Sequence, residues 1–206
     1  MIGKVVVEGY VPNKIDRSTR LVELRDVRNA KLHGISFELY KGEILGFYGL
    51  IGAGKSEISR AIFGADPYAG DIVINGRVTK MRSPGRALKN GVALVPEERR
   101  TEGCTTMLSI AANTPMMNYR TVERNGFRSG KLEDKVARDY VEKMGTSCRN
   151  VHQSVAYLSG GNQQKVVISK CLNAAPQVLL LDEPTRGIDV GAKQEIYRII
   201  RGLVNE

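Results

Sequence analysis

A glycine-rich loop is the first segment whose residues could do chemistry. It consists of Gly49, Leu50, Ile51, Gly52, Ala53, Gly54, Lys55 and Ser56. Glycines let successive backbone N–H groups converge on phosphate oxygens, and a helix that begins after the loop adds a dipole that favours negative charge. In this pattern Lys55 bridges the β- and γ-phosphates and the Ser56 hydroxyl ligates Mg²⁺. The alternative is a glycine-rich turn that only connects a strand to a helix.

A second segment ends in two adjacent carboxylates. The apolar run Val178–Leu181 is followed directly by Asp182 and Glu183, which is how a buried parallel strand delivers acidic groups to its C-terminal edge. Because side chains alternate along a strand, Asp182 and Glu183 face different ways. One can hold a metal while the other polarises an attacking water, as phosphoryl transfer requires. Taken alone, the strand also fits two solvated acids without a role.

The third segment is a helix start of unusual composition. Ser159, Gly160 and Gly161 precede a helix that the sequence predicts from Asn162. Such an end presents unpaired N–H groups and a hydroxyl, which suit an anion. An ordinary helix cap is the alternative.

The order of these three segments resembles the nucleotide-binding domain of ATP-binding-cassette (ABC) ATPases. Residues 162–165 (Asn-Gln-Gln-Lys) and 185–193 (Thr-Arg-Gly-Ile-Asp-Val-Gly-Ala-Lys) are similar to those of bacterial sugar importers. In that family two cassettes are fused in one polypeptide. Residues 1–4 resemble the end of a first cassette, and residues 95–100 fit the second.

The resemblance implies a domain organisation and a fold class. Residues 1–20 would be a linker remnant, and residues 21–206 a nucleotide-binding domain that is incomplete at its C-terminus. The fold expected is α/β, a P-loop NTPase of the ABC type with a mainly parallel sheet, antiparallel leading strands and a helical subdomain at about 98–157.

The resemblance also implies roles for individual residues. Glu183 would polarise the attacking water, while Lys55, Ser56 and Asp182 would hold ATP and Mg²⁺. The signature Ser159, Gly160 and Gly161 of one cassette would close on ATP held by the glycine loop of the other, and Asp189 would couple the two composite sites.

The partners implied are a transmembrane sugar permease, a second ATP-binding cassette and, indirectly, a periplasmic or lipid-anchored sugar-binding protein. The place implied is the cytoplasmic face of the cell membrane, and nucleic acid is not expected as a partner. Which sugar is carried stays open, because the permease and the binding protein choose the cargo.

Residue patterns predict the elements that carry these segments. Strands are expected at 21–27, 35–40, 43–48, 71–75 and Val92–Val95, with helices beginning at Ser83-Pro84 and spanning 193–204. A third helix is indicated by an apolar stripe that repeats every four residues. The stripe consists of Leu132, Val136, Tyr140 and Met144.

Length and composition fit one domain, or one domain with a subdomain. The chain has 206 residues, of which 42% are hydrophobic, and no apolar run approaches the ~20 residues that cross a bilayer. The net charge of +9 comes from Lys and Arg dispersed among acids, without the aromatic-interleaved basic block typical of nucleic-acid binding. The three cysteines lack metal-ligand spacing, which favours reduced, packed thiols.

Three features depart from the family pattern. Glu97 occupies the position where many cassettes place a glutamine near Mg²⁺, and residues 29–32 offer no aromatic ring to stack on adenine. Neither His33 nor His152 lies where the family has a switch histidine, which follows a further strand. The sequence therefore predicts a fragment or truncated reading frame.

Two functional classes remain open at this stage. The chain is either an ATPase half that drives a sugar permease or a catalytically silent nucleotide-binding module. A soluble cassette that acts on ribosomes or DNA is a weaker third possibility, against which the signature 162–165 argues.

Overall fold

An antiparallel sheet forms the first layer of the structure. The protein is described here by a computed structural model over residues 14–204. The sheet has the order β2-β1-β3-β4. Its strands are β1 (Asp16–Arg28), β2 (His33–Lys41), β3 (Ala69–Ile74) and β4 (Arg77–Val78). The strands predicted at 21–27, 35–40 and 71–75 are confirmed. The buried residues of β1 and β3 form one core with α1, and partly buried side chains of β2 pack against it.

The predicted linker overlaps this sheet. Residues 16–20 belong to β1, where Asp16 pairs with Lys41 of β2. The prediction for residues 1–4 lies outside the described residues.

A parallel pair of strands carries the acidic segment. β5 (Val92–Val95) pairs in parallel with β8 (Val178–Leu181), so that Val95 lies opposite Leu181. All four residues of β5 are buried, as expected for a strand covered on both faces. Both strands agree with the prediction, and their ends place the two following loops side by side.

The prediction of a strand at residues 43–48 is wrong. The segment leads into the glycine loop without strand pairing, and Phe47 and Tyr48 are exposed. A strand is defined by backbone hydrogen bonds to a neighbour, and here a groove of about 670 Å³ lies between this segment and β8. Parallel pairing within residues 14–204 is therefore confined to β5 and β8, and the prediction of a mainly parallel sheet is not met there.

Helices cover the strands and fill the middle of the chain. They are α1 (Lys55–Phe63), α2 (Pro84–Lys89), α3 (Ile110–Asn113), α4 (Gly130–Met144), α5 (Gly160–Leu172) and α6 (Val190–Leu203). A π-helical turn spans Arg99–Gly103, and three 3₁₀ segments span Thr114–Met117, Tyr119–Val122 and Val155–Tyr157. None of the helices in residues 14–204 is long and apolar enough to cross a bilayer.

The region 98–157 is mostly helical but contains a hairpin that the sequence analysis missed. β6 (Glu123–Arg124) and β7 (Phe127–Arg128) are joined by Asn125 and Gly126, whose φ angles are 53° and 82°. Asn-Gly is the preferred pair for such a two-residue turn, so the signal was present in the sequence.

α5 is the central helix of a second core. Ten of its residues are buried, among them Ile168 and Cys171, each with 0% of its surface exposed. Burial raises the pKa of the Cys171 thiol to about 12, so this cysteine stays protonated. Cys104 is also buried, as predicted for a packed thiol, whereas Cys148 is half-buried.

Truncating Ile168 tests the importance of this core. We expect Ile168→Ala to lower the free energy of unfolding by about 2–5 kcal/mol, because it opens a cavity beside packed neighbours. Urea unfolding measures the change. Met107→Ala is the control, since Met107 is 81% exposed, and a loss of similar size there would contradict the assignment of the core.

Candidate functional site

The glycine loop adopts the conformation that its composition predicts. Gly52 and Gly54 have φ angles of 83° and 88°, in the left-handed region that glycine tolerates best. Ala53 N–H donates to the Leu50 carbonyl at 3.1 Å, which closes a turn before α1 begins at Lys55. The loop therefore opens to solvent at the N-terminus of a helix, where an anion is favoured.

Lys55 and Ser56 connect this loop to the end of β8. Ser56 Oγ donates to Asp182 Oδ1 at 3.0 Å. Lys55 Nζ donates to the Gly49 carbonyl at 3.0 Å and lies 3.6 Å from Glu183 Oε1. The three residues predicted to hold nucleotide and metal, Lys55, Ser56 and Asp182, are thus brought together with Glu183, which was predicted to polarise the attacking water.

Asp182 is a buried carboxylate. It is 8% exposed, and its backbone N–H donates to the Val95 carbonyl at 3.0 Å. Burial raises the pKa of Asp182, the hydrogen bond from Ser56 opposes this, and the nearby carboxylates of Glu97 and Glu183 raise it further. A cation placed beside this carboxylate would offset both the cost of burying its charge and the repulsion from the neighbouring carboxylates.

Ser56 and Asp182 together suit Mg²⁺. Within residues 14–204 no group of three His, Cys, Asp or Glu side chains could hold a metal. Mg²⁺ is usually bound by one or two protein oxygens, several waters and substrate phosphates rather than by a cage of side chains. A hydroxyl and a buried carboxylate beside a phosphate-binding loop fit that donor set.

Glu183 has a strained backbone. Its φ angle is 43°, which is uncommon for a residue other than glycine, and Pro184 follows it. A residue before proline normally takes an extended conformation, so this one costs roughly 1–3 kcal/mol. Strain of this kind clusters at functional sites. The carboxylate is half exposed, and a substrate water can reach it.

Glu97 is paired with a cation. It accepts a hydrogen bond from Arg186, whose guanidinium also lies 3.0 Å from Glu98 Oε1. Glu97 also raises the pKa of Asp182, which places it near the proposed metal ligands. The arginine offsets the negative charge that this glutamate adds to the site.

The signature segment starts α5, and its helix begins earlier than predicted. Ser159 is the N-cap and α5 starts at Gly160, because the Ser159 hydroxyl accepts from Asn162 N–H at 3.4 Å and from Asn162 Nδ2 at 2.9 Å. Within the described residues, no hydrogen bond or ion pair joins Ser159, Gly160 or Gly161 to the glycine loop.

Asp189 caps α6, which starts at Val190 instead of the predicted 193. Its carboxylate accepts from Ala192 N–H at 2.9 Å. A Cβ on Gly161 would lie 2.6 Å from Ala192 Cβ, so the starts of α5 and α6 touch. The structure thus joins the signature segment to the loop that carries Asp189.

Residues 29–32 form a turn against the start of α1. Asn29 Oδ1 accepts from Lys31 and Leu32 N–H, each at 2.9 Å. A Cβ on Gly54 would lie 3.1 Å from Leu32 Cδ2. The turn therefore stands beside the glycine loop without an aromatic ring.

Arg99 and Arg186 are site residues that the sequence reasoning missed. Arg99 Nη1 donates to the Arg186 carbonyl at 2.7 Å, and Nη2 donates to the Gly187 carbonyl at 3.2 Å. Arg99 follows Glu97-Glu98 directly, and Arg186 lies two residues after Pro184. Both lie in segments, 95–100 and 185–193, that carried the family resemblance, but neither arginine was given a role.

Comparison with known proteins matches residues 32–186 to the ABC transporter family. The chain belongs to the ABC transporter family. Its fold agrees with that membership. A dimeric, post-hydrolysis structure of an ATP-binding cassette bound to ADP and Pi superposes with a TM-score of 0.75 and 22% identity, covering 89% of this chain and 83% of that one. The α/β fold of a P-loop ABC cassette is therefore confirmed.

Curated relatives of this ABC chain are named as sugar-import proteins. One from Burkholderia cenocepacia, provisionally named ribose/galactose/methyl galactoside import ATP-binding protein 3, is 45% identical over 98% of this chain and 40% of its own length. A ribose import ATP-binding protein RbsA of Bacillus cereus is 40% identical over 100% of this chain and 42% of its own. The chain thus spans about two fifths of the curated relatives it matches.

The contact between α5 and α6 gives a direct test of the site's geometry. We expect Gly161→Ala to destabilise the protein by about 1–3 kcal/mol, because the added methyl group overlaps Ala192. Thermal unfolding measures the change. Adding Ala192→Gly removes the overlap and should recover part of the loss, and a double variant no more stable than Gly161→Ala would contradict the contact.

Proposed function

We propose that the chain is the ATP-binding and ATP-hydrolysing cassette of a bacterial carbohydrate importer. The observation that carries the proposal is the pairing of Ser56 with Asp182 and of Lys55 with Glu183, which joins a phosphate-binding loop to two acidic groups. The names of the relatives support a sugar as cargo.

In this function each residue has a distinct task. The glycine loop and Lys55 bind the phosphates of ATP, and Ser56 and Asp182 would hold Mg²⁺, which would supply positive charge beside the phosphates. Glu183 accepts a proton from the attacking water and orients it towards the γ-phosphorus. ATP binding pulls Lys55 towards the phosphates and leaves the Glu183 carboxylate available for water. Glu97, whose carboxylate raises the pKa of Asp182, would lie beside the bound nucleotide and Mg²⁺.

The signature serves a second nucleotide site. Ser159 and the N-terminus of α5 would contact the γ-phosphate of ATP bound by a partner cassette, and Asp189 would link the two sites. We infer that this chain is the second cassette of a longer polypeptide whose first cassette is that partner. The share of about two fifths that the chain covers in its relatives supports this arrangement.

The groove between residues 43–48 and β8 fits a further strand of the same polypeptide. Its walls include Ile44, Phe47, Leu179, Leu181 and Ile200. Within residues 14–204, β8 pairs only with β5. A parallel strand there would pair with β8 on one side and with residues 43–48 on the other. We infer that this strand leads to the switch histidine of the native protein.

The expected partners follow from the importer role. The helical region 98–157 would contact a transmembrane permease at the cytoplasmic face of the membrane, where the exposed Met107 and Tyr157 offer apolar surface. A periplasmic or lipid-anchored sugar-binding protein would act through the permease. Ribose, xylose, galactose and related solutes stay open as cargo.

Replacing Glu183 by glutamine tests the enzymatic function. We expect Glu183→Gln to lower ATP turnover of the native polypeptide by about 10²-fold or more, because the amide cannot accept the proton, while ATP binding is retained. Phosphate release and nucleotide binding are measured on the same preparation.

Glu123→Gln is the matched control, since Glu123 is exposed on the β6–β7 hairpin and should leave turnover unchanged. A wild-type protein that binds ATP without turnover, and is unchanged by Glu183→Gln, would support a silent nucleotide-binding module instead. Binding of RNA or DNA at physiological salt would point to the third class.

A further inference from the structure

The π-helical turn Arg99–Gly103 is docked on one face of α5. Gln163, Val167 and Lys170 lie at positions i, i+4 and i+7 of that helix, which places them along one face. Gln163 Oε1 accepts from Arg99 Nε at 3.4 Å, and Lys170 Nζ donates to the Gly103 carbonyl. A Cβ on Gly103 would lie 3.0 Å from Val167 Cγ2, so the turn lies flush against the helix.

Two of these docking side chains are themselves fixed. Gln163 is 0% exposed and its Nε2 donates to the Val155 carbonyl at 3.1 Å. Lys170 is 7% exposed, and burial lowers its pKa. The π-helical turn that carries Arg99 is therefore held in place by buried side chains of α5.

The Arg99 side chain extends from this turn to the loop after β8. Its two terminal nitrogens donate to consecutive carbonyls, those of Arg186 and Gly187, at 2.7 and 3.2 Å. The planar guanidinium suits two acceptors at once, whereas an ammonium is a single point charge. A Cβ on Gly160 would lie 3.1 Å from Arg99 Nη2, so the same group also lies against the start of α5.

Arg186, in the loop after β8, makes a second connection in the opposite direction. The Arg186 side chain returns across the gap to Glu97 and Glu98, which directly precede Arg99. The loop after β5 and the loop after β8 are thus tied by one arginine from each. In the sequence, Glu183 precedes and Asp189 follows Arg186-Gly187, the two residues whose carbonyls accept hydrogen bonds from Arg99.

We propose that Arg99 is a positioning residue, which holds the loop 183–189 against the start of α5 and so sets the places of Glu183 and Asp189. This inference rests on the proposed function, because its effect on turnover needs an active ATPase. Arg99 acts through that loop, and within residues 14–204 no hydrogen bond joins its side chain to Lys55, Ser56 or Asp182.

The test compares Arg99→Ala with Arg100→Ala in the native polypeptide. Arg100 Nε also donates to Gln163, at 3.3 Å, but no hydrogen bond joins Arg100 to Arg186 or Gly187 in the described residues. We expect Arg99→Ala to lower kcat about tenfold or more with KM for ATP within about twofold, since a loop out of place costs rate rather than binding. Arg100→Ala should leave both values unchanged.

A double-mutant cycle checks the route of the effect. If Arg99 works through the loop, Arg99→Ala combined with Asp189→Ala should lower kcat no further than the more damaging single variant. Multiplying effects would overturn the inference. Arg99→Lys provides a second variant in case Arg99→Ala fails to fold, and it should give an intermediate kcat.

Amide hydrogen exchange separates this inference from the proposed function. The backbone amides of residues 186–193 should exchange about tenfold faster in Arg99→Ala and stay unchanged in Arg100→Ala, whether or not ATP is hydrolysed. A wild-type protein without ATP turnover would contradict the proposed function. The exchange rates alone would then test whether Arg99 positions the loop. Unchanged exchange, or an unchanged kcat in an active protein, would overturn the positioning role.

Discussion

The hydrogen bond between Ser56 and Asp182 joins two segments that are 126 residues apart in the chain. It fixes the start of α1 to the end of β8, and the Asp182 amide fixes that end to Val95 of β5. The phosphate-binding loop and the acidic strand therefore share one frame. Its cost is a carboxylate buried among other acids, with a raised pKa, and a cation beside it would offset that cost.

The strained Glu183 lies between two anchored points in this frame. On one side Asp182 is bound to β5 and to Ser56, and on the other Arg186-Gly187 receives two hydrogen bonds from Arg99. A backbone in the left-handed region before a proline persists when its surroundings hold it there. The same contacts connect Glu183, the residue proposed to activate water, to the start of α5, because the Arg99 guanidinium also lies against Gly160.

Sequence reasoning located the parts of this frame that depend on local residue patterns. The glycine loop, β5 and β8 follow from short motifs with their own backbone requirements, whereas the starts of α5 and α6 were predicted two and three residues too late. The strand at residues 43–48 was mispredicted, because an apolar run becomes a strand only beside a partner and this one faces a groove. The roles of Arg99 and Arg186 were not predicted, because a contact between residues 87 positions apart leaves no periodic pattern in the sequence. The Asn125-Gly126 turn, by contrast, was readable and was overlooked.

The central claim is that Ser56 and Asp182 form the metal site of a bound nucleotide. Its most direct test is Mn²⁺ binding in the presence of ATP, followed by electron paramagnetic resonance, in the native polypeptide and in Ser56→Ala and Asp182→Asn. We expect both variants to weaken ATP-dependent Mn²⁺ binding by about tenfold or more, because each removes an oxygen ligand. Mn²⁺ affinity equal to that of the wild-type protein in both variants would contradict the claim.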